Sequence, residues 1–529
     1  MDEQKDIQEV VQDSKEVQNK KNPLGILFVF LAVVAAGIGT FLVINNSGKD
    51  KKEKEVTKEV EKKKEASPYK IVGNDLQDFD LYFLQLENSA KNKTFSPLSV
   101  KYALSMLADG TNGDTKTQIE NIRGDYTSKK YVNSHNMSFA NGLFIKDTYK
   151  NKIKNDYVND LKTKYDAEVI TDSFKTPDTL NNWVSKKTLN LIKNMASDIN
   201  DKDYVLVNAL AIDMEWNNKI QSVDKSYEVK FAHRDFDTMT LPLTASGYGQ
   251  LKFNNNKTVA KTVSVNSVVN RYDIIKEVGE DNIKKTVTKE YNKWLKKGAP
   301  DSCEGSASKE PATNKYVAQY MKEISEGYGH ISSSTDFSFY VDEKVKVFAK
   351  DLKTYNGTTL QYLGIMPIKE DLTTYIKNAK AKDISTLIDN LRELKIENYK
   401  EGVITHVYGE IPMFKFDYKL NLTNDLKKLG ITNIFDKDKA DLSNLTSEKA
   451  YIGEVSHKTT IEFSNDGIKA AAATTEGGIG AAGCGFDYIY KVPVENIDIT
   501  FNKPYLFFVR DKDTGEVWFT GTVYEPIKG

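Results

Sequence analysis

The sequence predicts an α+β fold attached to an N-terminal membrane-spanning helix, and three features carry that prediction. Helical periodicity comes early in the globular region, strand-like apolar runs come late, and 21 consecutive residues near the start carry no charge. With 529 residues, 28% charged and 11% aromatic, the chain can bury a large core. Its net charge of -1, with Lys interleaved among Asp and Glu, argues against a nucleic-acid partner, which needs a concentrated basic surface.

Residues 1–22 form a short tail, expected on the cytoplasmic side. Leu24 to Ile44, LGILFVFLAVVAAGIGTFLVI, is long enough at about 1.5 Å per residue to cross a hydrocarbon core of roughly 30 Å. It exceeds the usual signal-peptide core of about 7–15 residues and follows a long, acid-rich segment, so an uncleaved transmembrane helix over 23–45 is expected. Lys20 and Lys21 flank it on one side and Lys49, Lys51, Lys52 and Lys54 on the other, so charge alone leaves the orientation open. Residues 46–67 are a hydrated Lys/Glu stalk with opposite charges often four apart, read as a spacer. The texture becomes globular over 68–529.

Leu76, Phe79, Phe83 and Leu86 recur at helical spacing. Ser96 followed by Pro97 is an N-cap with proline in the first turn of a second helix ending near Gly110. Leu180, Trp183, Val184, Thr188 and Leu191 mark another amphipathic helix. Tyr204 to Trp216, YVLVNALAIDMEW, is apolar on both alternating faces, which predicts a central strand covered on both sides. Asn208 in its middle needs a hydrogen-bond partner, because an unpaired buried amide costs about 1–3 kcal/mol. PYLFFVRDKDTGEVWFTGTVYEP, Pro504 to Pro526, reads as a hairpin turning around Asp513 to Gly515.

Enzyme signatures are missing. His233–Arg234–Asp235 echoes a kinase catalytic loop, but the Asn required five residues after Asp235 is absent, as are GxSxG, HExxH and Walker A patterns. With five His and two Cys, neither a metal site nor a cofactor is expected. One stretch stands apart: Gly467 to Phe486, GIKAAAATTEGGIGAAGCGF, has only Lys469 and Glu476 charged and is otherwise built mostly of Ala, Gly and Thr.

Several segments resemble the serpin family, in family order from about Leu76 to Pro526. NKTFSPLSVKYALSMLADG with TNGDTKTQI is similar to the serpin helix that begins FSPxS, and VLVNALAIDMEW to the serpin VLVNAxxFxxxW strand. ADLSNLT, VSHKTTIEFSNDGIKAAAATT and FNKPYLFFVRDKDTGEVWFTGTVYEP resemble the segment before the hinge, the hinge itself and the closing strands. The resemblance implies a fold of three β-sheets and about nine helices, interrupted here by an insertion at about 243–335. It implies a protease inhibitor rather than an enzyme, acting as a monomer by suicide: the protease acylates an exposed reactive loop, which then inserts as a strand and carries the protease away.

On that reading Gly467, Ile468, Lys469, Ala470, Ala471, Ala472 and Ala473 are the hinge, small because they must slide between strands. Strand parity turns Ile468, Ala470, Ala472 and Thr474 inward and Lys469, Ala471, Ala473 and Thr475 outward. It also turns Glu476 inward, where an unpaired carboxylate would hinder full insertion. The scissile bond is expected at Ala481–Ala482, with Cys484–Gly485 or Phe486–Asp487 as alternates because the loop is about a dozen residues longer than usual. Alanine before the bond suits an elastase-like or subtilisin-like target. Ser96, Asn208 and His457 match the shutter, where the main sheet opens, and Trp216 the breach, where insertion begins. Met413 and Asn465 replace both partners of a salt bridge common at the breach, so no charge is orphaned. Cys303 and Cys484 are a candidate disulfide between the insertion and the loop. The expected setting is a bacterial cell membrane, single-pass, with the inhibitor domain extracellular. A non-inhibitory binding module on the same fold is the alternative.

Overall fold

A computed structural model of the chain describes residues 67–217, 227–231, 239–243, 251–254, 257–258, 262–270, 279–296, 331–332, 337–394, 404–453, 455–464 and 494–526. All of them belong to one compact unit, Glu65–Gly529. The apolar run 24–44 lies outside this set, and among the described residues no helix is long and apolar enough to cross a membrane.

The chain opens with helix α1 (Asp78–Leu86), strand β1 (Lys93–Phe95) and helix α2 (Pro97–Gly110). Helix α2 starts as its sequence dictates: the Ser96 hydroxyl oxygen accepts the Ser99 N–H at 3.2 Å, and Pro97 occupies the first position, where no N–H is needed. Next come α3 (Gly113–Arg123), β2 (Met137–Lys146), α4 (Asn155–Tyr165), β3 (Glu168–Asp172), α5 (Asp178–Lys187) and β4 (Tyr204–Ile212). Helix α5 ends before the predicted Leu191. Thr188 turns its hydroxyl back onto the Val184 carbonyl at 2.8 Å, and Leu189 and Asn190 take φ values of 53° and 64°, outside the right-handed helix.

Two hairpins, β5 (Tyr227–Phe231) with β6 (Met239–Leu243) and β7 (Lys252–Phe253) with β8 (Lys257–Thr258), precede β9 (Thr262–Asn270), α6 (Glu280–Lys296) and β10 (Ile331–Ser332). The stretch 268–297, VVNRYDIIKEVGEDNIKKTVTKEYNKWLKK, has helical character in sequence, but its first three residues end β9: Val268 and Val269 pair with His406 and Thr405, and Asn270 with Ile331 of β10. The helical character of that stretch appears in α6. Then follow β11 (Ser338–Val341), β12 (Val345–Asp351), β13 (Leu360–Pro367), α7 (Leu372–Asn378), α8 (Ala381–Asp389), β14 (Ile404–Pro412), β15 (Phe414–Asn421), α9 (Thr423–Lys428), β16 (Ser456–Phe463), β17 (Val494–Asp498), β18 (Tyr505–Asp511) and β19 (Val517–Val523). The final hairpin turns as read, with Gly515 at φ 77°, a conformation that side-chain-bearing residues rarely adopt.

The core sits on a six-stranded sheet ordered β1-β19-β18-β13-β12-β11, where β18, β13 and β19 are almost wholly buried. A second sheet is ordered β10-β9-β14-β17, with β14 and β17 parallel and Ile404 opposite Val494. In place of a single third sheet stand two separate ladders, β3-β2-β4 and β15-β16, with Phe414 opposite Phe463 in the latter. No ladder joins β4 to β16 among the described residues. Strand β4, read from its two apolar faces as central, is therefore the edge of its ladder: facial burial reports what lies above and below a strand, whereas edge pairing is decided by backbone groups.

Candidate functional site

The seam between β4 and β16 gathers three of the residues singled out in the sequence. A cavity of about 30 Å³ opens there, lined by Val207 to Leu210 of β4, His457 to Thr459 of β16, and Ser96 and Ser99 at the start of α2. That is room for a water molecule or two among polar groups.

Helix α2 reaches the seam through its cap. The Ser96 side chain holds the helix start while its backbone N–H donates to His457 Nε2 at 3.0 Å. The ring must therefore be neutral with its proton on Nδ1. Burial enforces the same state, pushing the His457 pKa down to about 4. Beside it the Thr459 hydroxyl donates to the Thr94 carbonyl at 2.9 Å, so β16 is fastened to β1 and α2 rather than to β4.

Across the seam the Asn208 amide nitrogen donates to Asn141 Oδ1 at 2.8 Å, and Asn141 passes its own amide to the Tyr165 carbonyl at 2.7 Å. Asn208 Oδ1 is left without a partner at the cavity. Asn141 was missed in the sequence, although the signal was the same as for Asn208: a lone amide in the apolar strand MSFANGLFIK.

One end of the seam is spanned by Trp216. Its Nε1–H donates to the Ser464 carbonyl at 3.1 Å, and its ring meets Phe463 and Tyr362 edge-on, with centroids 5.6 and 6.1 Å apart. Phe414 stacks on Phe463 and Phe507, and Met413, read in the sequence as replacing one partner of a salt bridge common in the family, is buried next to Phe414 in the chain. The hinge residues Gly467 to Ala473, the bond candidates Ala481, Ala482, Cys484 and Phe486, and Cys303 and Asn465 lie outside the described residues.

The geometry can do one thing well. Among the described residues the edges of β4 and β16 at this seam carry no ladder, and an unpaired edge offers the N–H and C=O groups that another strand would use. A family model described as serpin (serine protease inhibitor) matches residues 78–266 and 330–526. The chain belongs to the serpin family. The break in the match, 267–329, falls inside the inserted region and contains α6. This serpin is 24% identical to human Serpin B4 over 85% of its own chain and 97% of that one. It is also 24% identical to human leukocyte elastase inhibitor, over 84% and 97% respectively. A serpin-like protein of Methanosarcina acetivorans is 23% identical over 86% and 85%. Among solved structures, the thermophilic serpin tengpin in its native state aligns with a TM-score of 0.53 at 22% identity, covering 86% of this chain and 97% of that one. Thyroxine-binding globulin complexed with thyroxine aligns at 0.52 and 16%, covering 85% and 97%. At these identities the structural likeness speaks to the serpin fold alone.

Proposed function

We propose that this serpin is a surface-tethered suicide inhibitor of extracellular serine or cysteine proteases of elastase-like or subtilisin-like specificity. The observation that carries the reading is the unladdered seam between β4 and β16, which ends at Ser464, three residues before Gly467. A loop leaving at that point, rich in small residues, is chemically suited to become the strand between them. Similarity to leukocyte elastase inhibitors, and Ala481 before the expected bond, favour a protease with a small apolar pocket. The segment 23–45 supplies the tether and the stalk 46–67 the spacing, with the domain outside the cell, where foreign proteases are met. The domain needs neither metal nor cofactor for this chemistry, and it acts as a monomer.

Incubation with an elastase-like protease tests the mechanism. An SDS-resistant covalent complex is the expected product, and mass spectrometry of the released peptide fixes the bond. Clean loop cleavage with the protease still active would instead favour the alternative, a binding module on the serpin fold. That reading is supported by Glu476 and by the glycines between Gly477 and Gly485. Protease shaving of intact cells tests the tether, and should release the domain without lysis. Intact mass before and after reduction tests a Cys303–Cys484 bond, and no mass change removes it.

A further inference from the structure

Three charged side chains with no part in the seam are fully buried together. Asp80 lies in the first turn of α1, Lys101 in the second turn of α2, and Glu516 directly before β19; each has 0% of its surface exposed. Lys101 Nζ sits 2.7 Å from Asp80 Oδ1, and the second Asp80 oxygen accepts the Gln77 N–H at 2.8 Å. The Tyr131 hydroxyl donates to Glu516 Oε2, and the Tyr126 hydroxyl faces the same carboxyl. The Lys101 ammonium lies 5.7 Å from the centre of the Tyr126 ring, which joins the two halves of the cluster.

The charges do not balance. Two carboxylates and one ammonium leave one negative charge without a counter-ion in a dry interior, which is costly to maintain. Among the described groups nearby, Tyr102 on α2 brings no positive charge, Asp75 ahead of α1 adds a negative one, and Lys129 is partly exposed and paired with Asp511 at 3.2 Å. A retained proton is the remaining remedy. Lys101 contacts Asp80 directly and thereby favours its ionised form, whereas Glu516 is met by the neutral hydroxyls of Tyr131 and Tyr126 and feels Lys101 only at longer range. Burial raises the pKa of both carboxyls, consistent with a proton held on Glu516.

We propose that Asp80, Lys101 and Glu516 form a buried proton-dependent lock that ties α1 and the final hairpin to α2, the helix whose Ser96 cap holds His457. The sign follows from the raised carboxyl: its contribution is complete below the unfolded-state pKa near 4.5 and is lost as pH rises through the folded-state value. Alkaline conditions therefore loosen α2, and with it the position of the seam's latch.

The test uses the full chain and Glu516→Gln, which keeps the shape and removes the titration. At pH 8 the variant should melt about 2 °C or more above wild type, and the gap should close by pH 4. Hydrogen exchange across 97–110 should be slower in the variant at pH 8 alone. Infrared spectra followed from pH 5 to pH 9 should show, in wild type, a protonated carboxyl stretch that fades as pH rises and that the variant lacks. A gap independent of pH, a variant less stable at pH 8, or no such carboxyl signal would overturn the lock. A second series stands apart from that residue: Lys101→Met should lower the melting temperature, and adding Asp80→Asn should recover part of the loss. A double variant no better than Lys101→Met alone would also refute the proposal.

Discussion

Acid should weaken the seam through one residue. His457 has an ordinary pKa near 6.5 in the unfolded chain and about 4 in the folded one, because its ring is buried and Nε2 already accepts the Ser96 N–H. A folded pKa below the unfolded one means that stability is complete above about pH 6.5 and is lost as pH falls toward 4. The difference of about 2.5 units corresponds to ~3 kcal/mol. Protonation also abolishes the acceptor on which the Ser96 bond depends, so the loss is concentrated where α2 meets β16. The variant His457→Gln keeps an acceptor for Ser96 but cannot titrate. Apparent urea midpoints measured at pH 7.5 and pH 4.5 should fall further in wild type than in the variant, by an amount equivalent to about 2–3 kcal/mol. Carbon-13 histidine NMR gives the direct check, since the resonance missing from the variant must still belong to a neutral ring at pH 5. Titration of that resonance above pH 6, or parallel pH profiles for the two proteins, would refute the reasoning.

Other substitutions probe the remaining supports. Trp216→Phe keeps the ring contacts with Phe463 and Tyr362 but deletes the bond to Ser464, and should cost about 1 kcal/mol in thermal unfolding while raising hydrogen exchange at the end of β16. Asn141→Ala strips Asn208 of its acceptor and should destabilise by about 1–3 kcal/mol, more than Asn208→Ser, which leaves a smaller group to satisfy; unfolding midpoints decide the order. Gly521→Ala should prevent accumulation of folded protein, because the added carbon would fall on the Lys93 carbonyl oxygen and within 2.5 Å of the Phe507 ring; soluble yield and circular dichroism report it.

What the sequence revealed was local. Ser96–Pro97 announces α2 because capping is decided within four residues, and the last hairpin is legible because strand alternation and a turn glycine are adjacent in the chain. The early stop of α5 was hidden, since its cause is the backbone conformation at Leu189 and Asn190 rather than a loss of apolar spacing. The same limit applied to β4, whose residues describe its two faces but not which of its edges carries a ladder among the described residues. The site shows this most clearly. His457, Asn208 and Ser96 could be named from family motifs, yet Ser96 and His457 meet across 361 residues and Asn208 finds Asn141 across 67. The charged cluster gave no linear signal, because Asp80 and Lys101 each sit in an ordinary amphipathic helix and only the packing of α1, α2 and the hairpin removes water from all three groups.

The registers of β14 and β15 set a length constraint on the segment between β16 and β17. The 29 residues from 465 to 493 have a contour of about 96 Å at roughly 3.3 Å each. Their anchor points are fixed: Ser464 lies beside Met413, and Val494 opposite Ile404, nine residues back along the chain or about 30 Å. Lying along all 8 residues of β16 consumes about 26 Å, and a turn takes roughly four more residues. About 17 residues then remain, reaching about 56 Å, against a longest return path of the same length. An intact segment filling that whole depth is thus drawn taut with no slack, whereas a single cut past the turn leaves a free end and removes the string altogether.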